Sequence, residues 1–134
     1  MNPRIAGALA LTVVAIAAAP AAGAVERWGP TWSEVTGVQW SKTTLNLTGA
    51  IIKSIDGKTE TDRVVKAEPG KRTIVVQSPT RKGFSGTDAT VELDLAPCKR
   101  YYINAQFESG TGRDWKPALA MVETIAGCKV PAGN

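Results

Sequence analysis

Four tryptophans, one acid set into an apolar run and two cysteines are the side chains whose type and spacing could do chemistry in this 134-residue sequence. Trp28, Trp32 and Trp40 crowd together near the start, and Trp115 stands alone. An exposed indole stacks on the apolar face of a sugar ring or anchors an interface. Trp28 and Trp32 are therefore candidate ligand contacts. Phe84 joins them because it sits in the segment from Ser78 to Thr87, which holds Pro79, Gly83 and Gly86 around the basic pair Arg81-Lys82. The plainer reading, favoured by the pattern, puts Trp40 in the core, lays Trp28 and Trp32 over a sheet edge, and tucks Phe84 back as a lid.

Catalysis finds little to work with. No histidine occurs, which removes Ser-His-Asp and Cys-His arrangements and the zinc-binding H-E-x-x-H helix. Two cysteines are too few for a four-thiolate zinc site. Glu92 and Asp94 lie two apart as a pair of glycosidase acids could, but they suit the solvated face of an amphipathic strand. Ser41 and Lys42 are chain neighbours and would point to opposite sides of an extended backbone, which spoils a dyad. Glu108 and Asp114 flank a Gly-containing turn that lacks the dense acidic spacing of a calcium loop. The sequence reads as a non-enzyme with no cofactor and no metal.

Cys98 and Cys128 most simply form one disulfide in an exported chain. Closing that loop contributes about 3 to 4 kcal/mol through the unfolded state. If the two cysteines stand opposite each other, Tyr101 faces Ile125, Ile103 faces Glu123, Ala105 faces Met121 and Phe107 faces Leu119. Glu123 alone breaks this apolar face. An unpaired charge there is costly and has its pKa pushed up. Two roles compete for it: a proton-handling or ligand-binding acid, or a structural acid satisfied by a neighbouring Arg, Lys or Tyr hydroxyl. The structural role is preferred, and a bulge near Pro117 would also turn Glu123 outward.

The elements that must hold these residues are strands. No stretch of ten or more residues carries apolar positions at helical spacing. Ala89, Val91, Leu93 and Leu95 alternate with Thr90, Glu92 and Asp94, as one buried and one solvated face require. Further strands are expected over 33–40, 44–55, 61–67, 72–77, 101–108 and 118–125. Asp56-Gly57 and Pro69-Gly70 mark turns. Seven strands and one disulfide predict a small all-β fold, an antiparallel β-sandwich of immunoglobulin-like or prealbumin-like type over residues 25–134.

Residues 1–24 read as a signal peptide: Arg4, an apolar stretch from Ile5 to Ala19, then Pro20 and the triplet Ala22-Gly23-Ala24. The apolar core is short and alanine-dominated, so no membrane span is expected. The chain is expected in the periplasm or secreted. Without Arg4, 15 basic residues face 12 acidic ones, too mild an excess to predict a nucleic-acid partner. In an up-and-down arrangement Lys71-Arg72 and Lys99-Arg100 would share one end of the domain.

The run Ala50-Ile51-Ile52-Lys53-Ser54-Ile55-Asp56-Gly57-Lys58, followed by Glu68-Pro69-Gly70-Lys71-Arg72-Thr73-Ile74-Val75-Val76, resembles the core of PEGA-type and related prealbumin-like β-sandwich modules. The added hairpin between Cys98 and Cys128 departs from that pattern. The second half, Pro97-Cys98 with Arg100-Tyr101-Tyr102 and Trp115-Lys116-Pro117 with Glu123 and Cys128, resembles small exported bacterial proteins to which no activity is assigned. The resemblance implies a binding or structural accessory module of the bacterial envelope, its partner an envelope protein or glycan. A carbohydrate or peptidoglycan binder using the early tryptophans, and a small inhibitor presenting the Ser78 to Thr87 loop to a hydrolase, are the alternatives.

Overall fold

The computed structural model describes residues 31–130. The leader expected over 1–24 and the candidate contact Trp28 lie outside the described residues. Nine strands and no helix occur among those described: β1 (Ser33–Thr36), β2 (Leu47–Thr48), β3 (Ile51–Ile55), β4 (Lys58–Thr59), β5 (Val64–Ala67), β6 (Gly70–Gln77), β7 (Asp88–Leu95), β8 (Lys99–Phe107) and β9 (Trp115–Thr124). They form two sheets. In the five-stranded sheet β8 is central, with β9 along one side and β1 and then β5 on the other, while β2 also pairs with β8. The four-stranded sheet runs β4-β3-β6-β7. The fold is the all-β sandwich expected, with the disulfide formed.

The strand layout differs from the sequence expectation, with nine strands in place of seven. The arrangement is mostly, not wholly, antiparallel, because β1 runs parallel to β8. The strand expected over 33–40 stops at Thr36. There the Thr36 hydroxyl accepts the Val38 N–H and donates to Arg63 O, a local bond that competes with the ladder. The strand expected over 44–55 is two strands in different sheets. Its break is fixed where Ala50 N–H donates to Gly37 O at 2.8 Å. A Cβ on Gly37 would lie 1.8 Å from Ala50 O, so only glycine permits that crossing.

Turn chemistry follows the residues. Asp56 and Gly57 both have positive φ, 50° and 84°, and join Ile55 to Lys58 in a two-residue hairpin, as a type I′ turn requires. Asp56 also reaches β6: Oδ1 accepts Thr73 N–H at 2.8 Å and Oδ2 accepts Arg72 at 3.0 Å. These donors, the Thr73 amide first, hold its carboxyl below the usual carboxylate range.

Between the sheets lie Val35, Ile52, Ile55, Val65, Ala67, Ile74, Val76, Leu95, Tyr101 and Ile103, with Ala89, Val91, Leu93 and Trp115 packed against them. Burial of these aliphatic side chains is the main source of stability. Tyr101 brings a hydroxyl into this core and satisfies it by accepting Ala96 N–H at 2.7 Å.

The hairpin of β8 and β9 corrects the expected register. Arg100, not Ile103, stands opposite Glu123, and Tyr101 faces Val122. A bulge between Tyr102 and Ile103 then places Ile103 opposite Leu119 and Phe107 opposite Trp115. The cysteines misled the alignment because they lie outside the ladder. Ile125 N–H donates to Cys98 O, and Ala126 and Gly127, the latter at φ 83°, then turn the chain back so that Cys128 can reach Cys98. Against the assumed pairing the slip at this end is three residues, an odd number, which moves the β9 side chains from Met121 to Thr124 to the other face, whereas beyond the bulge the slip is even and Leu119 keeps its expected face.

The long edge of β9 is protected. Phe107 N–H donates to Asn46 O, away from β9, so the alternation of an antiparallel ladder puts the Pro117 nitrogen on the free side. Proline forfeits no bond there, and with the bulge it blunts the edge against a further strand.

Candidate functional site

The outer face of the five-stranded sheet carries a connected polar and aromatic arrangement. On β8, Arg100, Tyr102, Asn104 and Gln106 alternate with the core residues Tyr101, Ile103 and Ala105, so they project outward. Register aligns Glu123 of β9, Arg100 of β8, Glu34 of β1 and Lys66 of β5 in one row across four strands. The signs alternate, and neighbours pair. Arg100 donates from Nε to Glu34 Oε1 at 2.7 Å and from Nη1 to Glu123 Oε1 at 2.6 Å.

The tryptophan preceding β1 completes this row. Trp32 Nε1 donates to Glu34 Oε2 at 2.7 Å, and Lys66 Nζ lies 4.4 Å from the indole centroid, within cation–π range. Both oxygens of Glu34, which is 6% exposed, thus have donors. Trp32 itself is half-buried and is tied to the disulfide: Cys98 N–H donates to Trp32 O, and Trp32 N–H points at Cys128 Sγ.

Glu123 lies on this outer face and not in the core. The Tyr102 hydroxyl donates to it at 2.6 Å. That bond first, and Arg100 second, hold its carboxyl below the usual range, the reverse of the upward shift expected for an acid on an apolar face. The same contacts raise the Tyr102 phenol, chiefly through Glu123, and raise the Arg100 guanidinium, chiefly through Glu34. Arg100 and Tyr102 thus satisfy the Glu123 carboxylate, the pairing that the structural role preferred from the sequence called for.

Residues 37–46 form a strap laid over the far half of β8. Asn104, fully buried, is its pin: Nδ2 donates to Val38 O at 2.9 Å and Gly37 O at 3.3 Å, and Oδ1 accepts Trp40 N–H at 3.0 Å. Gln106 Nε2 adds a bond to Leu45 O at 3.0 Å. The strap carries Trp40 to the surface. Its ring stands 5.1 Å from Tyr102 at 61°, an edge contact, and remains 42% exposed. The expectation that Trp40 is core fails because Gly37 ends β1 three residues earlier and the strap lifts off the sheet.

Phe84 belongs to another region. Arg81 and Phe84 exchange backbone bonds around Lys82-Gly83, and Arg81 Nη1 donates to Ser109 O and Gly112 O while its guanidinium covers the Phe107 ring at 3.6 Å. The loop is thereby fastened to the β8–β9 turn, with Phe84 37% exposed beneath Arg113. Phe107 and Arg100 lie at opposite ends of β8, roughly 23 Å apart at strand rise, so Phe84 and Trp32 do not share a site. Of the basic pairs, Arg72 and Arg100 are both engaged by acids.

Tyr102, Asn104 and Glu34 were not singled out by sequence reasoning. Alternation along 101–108 gave the polar face of β8, but only the parallel pairing of β1 brings Glu34 beside it. Among the described residues no three His, Cys, Asp or Glu side chains converge as metal ligands. What the face offers is a fixed aromatic shelf beside a hydroxyl, a carboxylate and an ion-paired guanidinium. No family model, curated protein or solved structure matches this chain.

Proposed function

We propose that this protein is an exported, non-catalytic recognition module of the bacterial envelope, and that it binds a glycan on the outer face of its five-stranded sheet. The observation that carries this reading is Trp40, a large aromatic ring held 42% exposed by a dedicated strap and a buried asparagine. Exposed indole is hydrophobically unfavourable unless a partner covers it. The apolar face of a pyranose suits it, and the Tyr102 hydroxyl and Glu123 carboxylate beside it supply hydrogen-bond partners for sugar hydroxyls. The Tyr102 and Arg100 hydrogen bonds hold the Glu123 carboxyl below its usual range, which suits a hydrogen-bond acceptor and not a general acid.

The test is a tryptophan-fluorescence titration of the oxidised protein, purified from the periplasm of an expression host, with soluble glucan, chitin and peptidoglycan fragments. Binding should quench or blue-shift emission in the wild type. Trp40→Ala should weaken it at least tenfold, whereas Trp115→Phe, distant from the face, should not. Failure of all three glycan classes to bind, or an unaltered affinity for Trp40→Ala, would overturn the reading.

A second reading rests on the Arg81-to-Phe84 turn, whose anchoring to Ser109 and Gly112 pre-organises an exposed Phe and Lys82. Pre-organised loops of this kind suit inhibition of a hydrolase. Loss of a target enzyme's activity on adding wild type but not Phe84→Ala would favour it.

A further inference from the structure

The end of the sandwich holds a cavity that the glycan-binding face does not use. It measures about 330 Å³ and opens where the start of the strap, the β2–β3 turn and the β4–β5 connection meet. That volume is within the range of small-ligand pockets. Its apolar lining is aliphatic: Val38, Ala50, Ile51 and Ile52. Ile52 is buried but Ile51 is 51% exposed, which leaves a hydrophobic wall facing the opening.

Two opposite charges stand in the same lining. Asp62 and Arg63 are consecutive, both exposed, and neither takes part in any of the three salt bridges between described residues. Nor does either side chain hydrogen-bond to another described residue; Arg63 engages only through its carbonyl, which accepts the Thr36 hydroxyl. Elsewhere on this molecule the arginines of the basic pairs are bound: Arg72 by Asp56, Arg100 by Glu34 and Glu123, and Arg81 by backbone carbonyls. A carboxylate and a guanidinium without a partner among the described residues, on one aliphatic pocket, form a pattern that matches a ligand bearing both charges and an apolar chain.

We propose that this cavity binds a small zwitterion of dipeptide size with an aliphatic side chain. Asp62 receives its ammonium, Arg63 takes its carboxylate in a two-pronged bond, and the aliphatic side chain packs on Ile51 and Ala50. The inference stands apart from the glycan reading, since Asp62, Arg63, Ile51 and Ala50 contribute nothing to the Trp40 face, although Gly37 and Val38 in the lining belong to the strap. Because both charges are solvent-exposed, the affinity expected is modest, roughly millimolar.

Glycyl-leucine is the probe, titrated into isotopically labelled, oxidised protein and followed by amide chemical shifts. Shifts should concentrate at 37–39, 49–52 and 61–63. N-acetylation of the dipeptide should weaken binding about fivefold in the wild type but not in Asp62→Asn. Amidation of its carboxyl should do the same in the wild type but not in Arg63→Gln. Both substitutions lie at exposed positions, and dispersed spectra will show that the variants are folded. The proposal is overturned by absence of shifts at 10 mM dipeptide (about tenfold above the expected Kd), by shifts lying outside these segments, or by blocked dipeptides binding as well as the free one.

Discussion

Removing the Arg100 head while keeping its stem, as in Arg100→Met, should destabilise the protein by about 2 to 3 kcal/mol. Glu34 has a side chain only 8% exposed and depends on Arg100 for one oxygen and on Trp32 for the other. Breaking a buried ion pair from one side costs about 3 to 5 kcal/mol, because a desolvated charge is left behind. Arg100 is 29% exposed, so water can enter the vacated space, which lowers the figure. For a domain of about 100 residues a urea slope near 1 kcal/mol per molar turns this into a midpoint about 2 to 3 M lower. The decisive comparison is the double variant Glu34→Gln with Arg100→Met. A neutral amide still accepts the Trp32 N–H and carries no charge to strand, so the double variant should regain about 1 kcal/mol over Arg100→Met alone. Urea unfolding of the oxidised proteins, followed by far-UV circular dichroism, measures both. A midpoint within about 0.5 M of wild type for Arg100→Met, or a double variant no more stable than the single, refutes the assignment of Glu34 as a buried, Arg-dependent charge.

Asn104→Ala should cost about 2 to 4 kcal/mol, since the Trp40 N–H and the Val38 carbonyl lose their buried partner; freed of its pin, Trp40 should shift to longer-wavelength emission in a protein that still folds. Gly37→Ala should be worse, because its Cβ would overlap Ala50 O at 1.8 Å and the β1–β3 crossing must open; expression as a soluble disulfide-bonded protein is the readout, and wild-type yield and midpoint would count against the crossing. Acid should weaken the fold in a defined window. Asp56 and Glu123 both have lowered carboxyl pKa values, so their contribution is complete above the unfolded values of about 3.9 and 4.3 and is lost as pH falls through the folded ones. The urea midpoint should therefore fall as pH drops below about 4, and Asp56→Asn with Glu123→Gln should flatten that limb. An unchanged limb in the double variant would place the acid sensitivity elsewhere.

Features set by near neighbours were legible in the residues. The alternation from Ala89 to Leu95 is β7, and Asp56-Gly57 is the hairpin turn, because side-chain period and φ preference act within a few positions. Cys98 and Cys128 do pair, at a Cα separation of 5.4 Å. Features set by distant segments were not. Nothing within 44–55 says that β2 joins one sheet and β3 the other, because the cause is Gly37, seven or more residues earlier, approaching Ala50. The face of Glu123 followed from an alignment that treated the disulfide as a rung of the ladder, whereas Ala126 and Gly127 absorb the offset. Trp40 was expected in the core with the strand running over 33–40, but the strand ends at Thr36.

That misplacement bears on function. A strap of residues 37–46 costs conformational entropy to order, and its polar pin, Asn104, sits fully buried where an aliphatic residue would contribute more. The three bonds of Asn104 do not serve the core, which lies on the other face of β8; they fix the backbone on either side of residue 39 and so fix where Trp40 stands. The charge row beneath acts on its neighbour: Glu123 is held by Arg100 and in turn holds the Tyr102 hydroxyl, whose ring meets that of Trp40 in an edge contact. Each part orients the next, ending at an aromatic ring left open to solvent. If the arrangement were only structural, Asn104→Leu with Trp40→Ala, which removes the polar pin and the exposed ring together, should leave stability close to that of Asn104→Leu alone and abolish nothing measurable. If it is a binding face, Asn104→Leu alone should already weaken glycan binding about tenfold with Trp40 still present, because the ring would no longer be pre-organised.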